Sequence, residues 1–278
     1  MSVRLIALDL DGTLTNDQKQ ITDYTKEILR EVSGRGVKIA LASGRPTLGI
    51  LPVARELGLD KTGGYVIAFN GGHILDLGTG KDVFRASFPR EYIRTAAEYA
   101  AKNRVPIISY DEENILTEGP VDEYVLHEVT NTGAQVRLVP DLPAHLTFPI
   151  VKMLICGNPD KLASMEGPMA ETFRGILDIY RAEPWFLEVM PRGINKSQGL
   201  RTLADYLDLT RDEIMACGDA NNDIPMLRQA RYSIAMANAV EGTKREAAFI
   251  TRSNNEDGVA YAIRKFVLDG EELPEKTE

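Results

Sequence analysis

The chain has 278 residues, which is enough for about two domains with a buried core in each. Its 32 Lys and Arg residues against 41 Asp and Glu residues give a net charge of −9, a balance that repels nucleic-acid phosphates and anionic membranes. No run approaches the ~20 apolar positions that span a bilayer, and the residues after Met1 lack the pattern of a secretory signal. We therefore expect a cytoplasmic protein that binds neither nucleic acid nor membranes.

The N-terminal part alternates the apolar patterns of strands and helices. This βαβαβ order predicts a parallel sheet, because parallel strands need crossover connections, which are usually helices. The predicted elements are a strand from Val3 to Leu8, a helix that opens near Thr22, a strand from Val37 to Ala42, a helix from Thr47 to Leu57, and a strand from Tyr65 to Phe69.

The pattern changes after Asn70 and Gly71 to short strands between helices, and it returns to βα alternation near Asn195. We therefore predict an α/β fold with a doubly wound, mostly parallel, Rossmann-like core formed by residues 1–83 and 191–278. An α+β domain formed by residues 84–190 is inserted into it. The later strands are predicted near Ile107 to Tyr110, Ile115 to Thr117, Val136 to Val139, Ile150 to Cys156, Ile214 to Cys217, and Ser233 to Met236.

Polar residues follow several predicted core strands or open a core helix, at the sheet edge where open α/β folds bind ligands. Ionised carboxylates beside an apolar core are costly unless they are paired or bind a metal, so this acidic group requires a cation. Oxygen-rich carboxylate sites suit Mg²⁺, which works together with substrate phosphate. The clusters are Asp9 with Asp11, then Ser43, Gly44 and Arg45, then Lys196, and finally the run from Gly218 to Asp223, with Asp219 and Asp223.

These clusters resemble the four motifs of the haloacid dehalogenase superfamily, in both order and position along the chain. The first is Asp9-Leu10-Asp11-Gly12-Thr13-Leu14, and the others are Ser43-Gly44-Arg45, Lys196, and Gly218-Asp219 with Asn222-Asp223. The long insertion between the second and third motifs resembles the C2B-type α/β cap of the Cof-type subfamily, whose members are mostly sugar-phosphate phosphatases. Further segments that resemble the subfamily are Trp185 to Val189, Ala235 to Ala239, and Ser253 to Ala260.

The resemblance implies a role for each motif residue. Asp9 would attack phosphorus and carry an aspartyl-phosphate, and Asp11 would protonate the leaving oxygen and then activate water. The Asp9 side chain, the Asp11 backbone carbonyl and Asp219 would hold Mg²⁺. Lys196, and Ser43 and Gly44 with their backbone N–H groups, would bind the phosphoryl oxygens. The supporting residues would be Asp223, which would orient Lys196 or a metal-bound water, and Asn222.

Three further residues are substrate candidates with alternative structural interpretations. Arg45 would contact the substrate, fix the motif loop or form a surface ion pair. Asn70 precedes Gly71 in a pattern that is typical of a hairpin turn, so its structural interpretation is the stronger one. Glu188 belongs to the inserted domain and is a candidate for substrate specificity.

The predicted function is that of a Mg²⁺-dependent phosphatase for small phosphorylated metabolites, with sugar phosphates favoured by the resemblance. A phosphomutase is an alternative, because it shares the aspartyl-phosphate and returns the phosphoryl group to another hydroxyl. A sugar-phosphate-binding regulator without turnover is a second alternative, although the presence of both Asp9 and Asp11 argues against it. No motif specifies the metabolite, and a monomer and a small homo-oligomer fit the sequence equally well.

Overall fold

The computed structural model describes residues 3–274, apart from the side chain of Ala182. Its strands are β1 Leu5–Leu8, β2 Lys38–Ala42, β3 Tyr65–Ala68, β4 His73–Asp76, β5 Lys81–Arg85, β6 Ile107–Tyr110, β7 Asn114–Thr117, β8 Gln135–Leu138, β9 Met153–Cys156, β10 Leu177–Glu183, β11 Phe186–Pro191, β12 Ile214–Gly218, β13 Tyr232–Ala235 and β14 Phe249–Ile250. Its α-helices are α1 Asp23–Gly34, α2 Thr47–Glu56, α3 Leu59–Thr62, α4 Ile93–Lys102, α5 Glu123–Thr132, α6 Leu142–His145, α7 Pro159–Thr172, α8 Lys196–Tyr206, α9 Ile224–Leu227, α10 Glu241–Glu246 and α11 Gly258–Ile263.

The chain forms two compact units. The larger unit consists of residues 1–44, 50–84 and 195–278, of which 1, 2 and 275–278 lie outside the described residues. The smaller unit consists of residues 45–49 and 85–194. The sequence placed the inserted domain at 84–190, and its assignment as a cap over a catalytic core stays a prediction.

The larger unit contains an eight-stranded sheet in the order β14-β13-β12-β1-β2-β3-β4-β5. The strands from β14 to β3 are parallel, and β4 pairs antiparallel with β3. β1 is buried throughout because it lies between β2 and β12, which explains its continuous apolar sequence. After β1 the chain adds β2 to β5 on one side of β1, and it later adds β12 to β14 on the other side. The strand order therefore reverses between β1 and β12, and open α/β sheets bind ligands at such a point.

The smaller unit contains a six-stranded mixed sheet in the order β10-β11-β9-β6-β7-β8. Apolar side chains of β9 and β11 pack with residues of α4 and α7 on one face, and these residues form the main part of its core. The predicted fold class, a doubly wound core with an inserted α+β domain, is confirmed.

Several details differ from the sequence prediction, including the first strand, which was predicted from Val3 and begins at Leu5. The strand predicted from Ile150 begins at Met153, because the Ile150 carbonyl accepts a hydrogen bond from the Phe88 N–H in a connecting segment. The long hairpin of β10 and β11 was not predicted as a pair of strands. Within residues 3–274, no helix has the length and apolar character needed to cross a membrane.

Candidate active site

Asp9 is the first residue after β1, and the structure buries it at the carboxyl edge of the larger sheet. Its N–H donates to the carbonyl of Cys217 on β12 at 3.1 Å, which continues the pairing of the two strands by one residue. The chain then turns sharply at Gly12, where φ is +79°. A side chain there would be strained by this φ, and its Cβ would lie only 2.6 Å from Asp219 Oδ2.

Lys196 is the first residue of α8 and is almost completely buried. Asn195 caps the helix, because its side-chain oxygen accepts a hydrogen bond from the Gln198 N–H at 3.0 Å. The Lys196 ammonium donates hydrogen bonds to Asp9 and, at 2.6 Å, to Asp223. Burial lowers the pKa of Lys196, but the charges of Asp9 and Asp223 outweigh it and raise that pKa overall, so the group is a cation.

Asp223 is completely buried and fixes the loop that follows β12. Its Oδ2 accepts hydrogen bonds from the N–H groups of Asp219 and Ala220, both at 3.0 Å, while its Oδ1 faces Lys196. A Cβ at Gly218 would approach the Asp223 side chain too closely, so the glycine permits this contact. The predicted contact between Asp223 and Lys196 is therefore present, and its catalytic role stays a prediction.

The carboxylates of Asp9, Asp219 and Asp223 form an acidic cluster, with one oxygen of each within 4.8 Å of the others. Asp219 is also fixed by Thr13, whose hydroxyl donates to Asp219 Oδ1 at 2.9 Å. Burial and then the charge of Asp223 raise the pKa of Asp9 well above its usual value, and burial also raises the pKa of Asp219.

Repulsion between these carboxylates adds to the effect of burial, because their three negative charges exceed the positive charge of the Lys196 ammonium. A divalent cation would remove this excess, and an all-oxygen donor set suits Mg²⁺. The residues therefore fit the metal that the sequence predicted. The predicted metal ligands were Asp9, Asp11 and Asp219, with Asp11 binding through its backbone carbonyl. The third carboxylate of the observed cluster is that of Asp223.

The Asp11 side chain is directed to a different partner. Its Oδ1 accepts a hydrogen bond from Lys19 Nζ at 2.6 Å, and both side chains are partly exposed. No sequence pattern predicted this contact, because Lys19 lies in a polar loop without a motif. Its position near Asp11 follows from the turn at Asn16, whose carbonyl accepts the Lys19 N–H at 2.9 Å.

Ser43, Gly44 and Asn70 are neighbours at the carboxyl ends of β2 and β3. Ser43 is buried, and its carbonyl accepts the Asn70 N–H at 2.9 Å. A Cβ at Gly44 would lie 3.2 Å from the side-chain amide of Asn70, so a larger residue would press on it. Asn70 has a φ of 52° in the connection between β3 and β4, which agrees with the hairpin interpretation.

The three other candidates belong to different parts of the structure. Arg45 is half-buried and groups with the smaller unit. Asn222 is exposed, and within residues 3–274 its side chain makes no hydrogen bond that would support an orienting role. Glu188 is buried in the smaller unit, where its carboxylate lies 3.0 Å from Lys152 Nζ.

Residues 6–263 match the family model of the haloacid dehalogenase-like hydrolases. The chain belongs to this family. This hydrolase is 33% identical over 271 residues to a provisionally named phosphatase of Streptococcus pyogenes, and the match covers 97% of the present chain and 100% of the relative.

Solved structures of related hydrolases agree with this assignment. A haloacid dehalogenase-like hydrolase from Bacteroides thetaiotaomicron has a TM-score of 0.92 and 38% identity, and the match covers 95% of the present chain and 99% of the other. The structure of BT4131, described as a subclass IIB sugar phosphatase, has a TM-score of 0.79 and 25% identity over 95% of this chain and 99% of that one.

The smaller unit of this hydrolase contains a second group of buried polar side chains. Of this group, the sequence analysis identified only Glu188. Lys152 pairs with Glu188, and the Tyr110 hydroxyl donates to Glu128 Oε1 at 2.7 Å. Burial raises the pKa values of both Glu128 and Glu188, while the charge of Lys152 lowers them. Tyr110 lies on β6, Glu188 on β11 and Glu128 on α5, and Lys152 directly precedes β9, so no local sequence pattern connects them.

Proposed function

We propose that this protein is a Mg²⁺-dependent phosphatase that hydrolyses small phosphorylated metabolites, with sugar phosphates as the substrate class. The observation that carries this proposal is the buried Lys196 ammonium bound to Asp9 at the edge of an acidic cluster. Such a site offers a carboxylate nucleophile and a cationic partner for phosphoryl oxygens. The larger unit would be the catalytic core, and residues 84–190 would form the cap.

The first chemical step would begin on Asp9. A carboxylate oxygen of Asp9 forms a bond to phosphorus, while the bond from phosphorus to the sugar oxygen breaks. Asp11 in its protonated form gives its proton to that sugar oxygen, so the leaving group departs as an alcohol. Lys196 neutralises charge on the phosphoryl oxygens, and Ser43 and the backbone around Gly44 donate hydrogen bonds to them.

The second step would release phosphate and restore the enzyme. A water oxygen forms a bond to phosphorus while the bond from phosphorus to the Asp9 oxygen breaks. Asp11, now a carboxylate, takes the proton of this water, which restores its protonated form for the next cycle.

The side chains of Asp9 and Asp219 and the backbone carbonyl of Asp11 would hold Mg²⁺. Bound there, the ion would supply positive charge that offsets the repulsion between the nucleophile and the phosphate. Asp223 orients Lys196 and the loop after β12 through the hydrogen bonds described above.

The substrate class rests on the family and on its named members. The related subclass IIB sugar phosphatase has the same fold along nearly the whole chain, and the Streptococcus relative carries a phosphatase name. Because an inserted domain can exclude water and contact the distal part of a substrate, the smaller unit would determine which metabolite is accepted. Arg45, Asn70 and Glu188 remain the substrate candidates, with Glu188 as the candidate for specificity.

The test is phosphate release from a panel of sugar phosphates and from p-nitrophenyl phosphate in the presence of Mg²⁺. We expect turnover by the wild type, none by Asp9→Asn, and a kcat lowered by about 10² or more in Asp11→Asn. Asp60→Asn, at an exposed position on α3, is the matched control and should retain activity. Binding without release would indicate a regulator, and an isomerised sugar phosphate would indicate a phosphomutase. Either result would contradict the proposal.

A further inference from the structure

The loop between β1 and α1, residues 9–22, carries Asp11 and is held by side chains from the C-terminal part of the chain. We call it the Asp11 loop. Among the residues that hold it are Asn254 and Asn255 in a 3₁₀ turn, Asn254–Glu256, and Asn238 after β13. The resemblance to Cof-type proteins covers both segments, but the catalytic steps proposed above do not use them.

One of these contacts is a reciprocal pair between Asn255 and Asp17. The Asn255 side-chain amide donates to Asp17 Oδ2 at 2.9 Å, and the Asp17 N–H donates to Asn255 Oδ1 at 3.1 Å. Asn254 adds a donor that is shared between Asp17 Oδ1 at 3.2 Å and the Thr15 carbonyl at 3.1 Å. Hydrogen bonds from Asn255 and Asn254 lower the pKa of Asp17, so these contacts favour its charged form.

Asn238 connects the turn to the beginning of the loop. Its side-chain amide donates to the Gly12 carbonyl at 2.8 Å, and its side-chain oxygen accepts the Asn254 N–H at 2.9 Å. Together, the side chains of Asn238, Asn254 and Asn255 bind the loop at Gly12, Thr15 and Asp17. Both the backbone and a side chain of the loop take part, so its path is fixed by more than one contact.

The same contacts reach Asp11 through Lys19, two residues beyond Asp17. Lys19 has a φ of 59° and donates from its ammonium to Asp11 Oδ1 at 2.6 Å. An exposed ion pair of this kind contributes little stability by itself. Its geometry therefore depends on how firmly the backbone on each side of Lys19 is held.

We propose that Asn254 and Asn255 are positioning residues for Asp11, acting through Asp17 and the Asp11 loop. The inference rests on the proposed role of Asp11 as the group that protonates the leaving oxygen. General acid catalysis requires that the donor lie within hydrogen-bond reach of that oxygen, so a loose loop would slow this step selectively. Asn255 is exposed, which makes its replacement compatible with folding.

The test compares two leaving groups. A sugar alkoxide is a poor leaving group that needs a proton, whereas the p-nitrophenolate of p-nitrophenyl phosphate does not. Because kcat/KM covers the steps through leaving-group departure, it isolates the acid step from hydrolysis of the intermediate. We expect Asn255→Ala to lower kcat/KM about tenfold for the best sugar phosphate of the panel and less than about twofold for p-nitrophenyl phosphate.

An exchange of the paired residues tests the contact itself. Asn255→Asp places two carboxylates opposite each other. It should lower kcat/KM for the sugar phosphate at least as much as Asn255→Ala does. The double variant Asp17→Asn/Asn255→Asp restores one amide and one carboxylate and should recover most of the activity with the sugar phosphate. Asn158→Ala is the matched control, because this exposed Asn also makes hydrogen bonds, at 3.0 and 3.3 Å, but to the start of α7. It should keep the wild-type ratio of the two activities.

Equal losses with both substrates, or no recovery in the exchanged variant, would overturn the positioning role. Asp11→Asn distinguishes this failure from a failure of the proposed function. If Asp11→Asn is selective for the sugar phosphate and Asn255→Ala is not, the positioning inference alone is wrong. If Asp11→Asn itself affects both substrates equally, the role proposed for Asp11 is wrong.

Discussion

The ammonium group of Lys196 is hydrogen-bonded to the carboxylate of Asp9, and both residues are buried. The same ammonium is bound to Asp223, so one cation is shared by two carboxylates. Removing a partner from a buried ion pair is strongly destabilising because the remaining charge is left uncompensated. Lys196 therefore has a structural role as well as the proposed role in phosphate binding.

We predict that Lys196→Met lowers the free energy of unfolding by about 3–5 kcal/mol in buffer with a chelator, as measured by urea denaturation. The matched control is Lys244→Met, which removes a more exposed pair with Glu241 on α10 and should cost less than about 1 kcal/mol. Similar losses in the two variants would contradict the conclusion that Lys196 compensates the buried carboxylates.

Gly12 offers a second test, because its positive φ and the nearby Asp219 carboxylate both oppose a side chain at this position. Gly12→Ala places a Cβ near Asp219 at a φ of +79°, whereas Gly36→Ala places one at a φ of +88° with no atom within 4 Å. Both variants carry the conformational cost of about 1 kcal/mol for a left-handed Ala. We predict that only Gly12→Ala also lowers kcat, by about tenfold or more, because Asp219 must shift. Equal kcat values in the two variants would show that the close approach has no catalytic consequence.

The sequence was sufficient to place some residues of the candidate site but not others. Asp9, Ser43 and Asp219 follow apolar strands, so strand periodicity and parallel pairing were sufficient to place them at one edge of the sheet. Lys196 was identified as the residue that opens a core helix, but its role in phosphate binding came only from the family resemblance. Its buried position follows from the packing of α8 in the assembled unit.

The contacts that sequence reasoning missed connect positions without a local pattern. Asp17 and Asn255 are separated by 238 positions, and each is an ordinary loop residue on its own. The pairing of Lys152 with Glu188 depends on the register of β11 against β9, which apolar periodicity does not specify in detail. Such contacts arise from the tertiary arrangement and are visible only in coordinates.

Binding of Mg²⁺ should stabilise the folded protein, since the acidic cluster exists only when β1 and β12 are paired. At a free concentration about 100 times Kd, we predict a gain of about 2.7 kcal/mol in the free energy of unfolding. Asp219→Asn should reduce this gain, whereas Asp60→Asn should leave it unchanged. Thermal unfolding with and without Mg²⁺ measures the effect, and a Tm that is independent of Mg²⁺ would contradict the assignment of the cluster.

Glu128 gives a prediction for the pH dependence of stability in the smaller unit. Burial raises its pKa above the usual value of 4.5, although Lys152 and Tyr110 lower it in part. The folded protein therefore holds this proton at pH values where the unfolded chain has lost it. Stability from this group is complete below pH 4.5 and declines as the pH rises from there through the raised pKa.

Glu128→Gln removes this titration and keeps an amide oxygen that can accept the Tyr110 hydroxyl. We predict that the free energy of unfolding of Glu128→Gln, relative to the wild type, increases as the pH is raised from 4.5 toward neutrality. Urea denaturation at a series of pH values measures this difference. Glu112→Gln, at an exposed position, is the matched control for the substitution itself. A constant difference for Glu128→Gln would mean that Glu128 has the same affinity for protons in the folded and unfolded states.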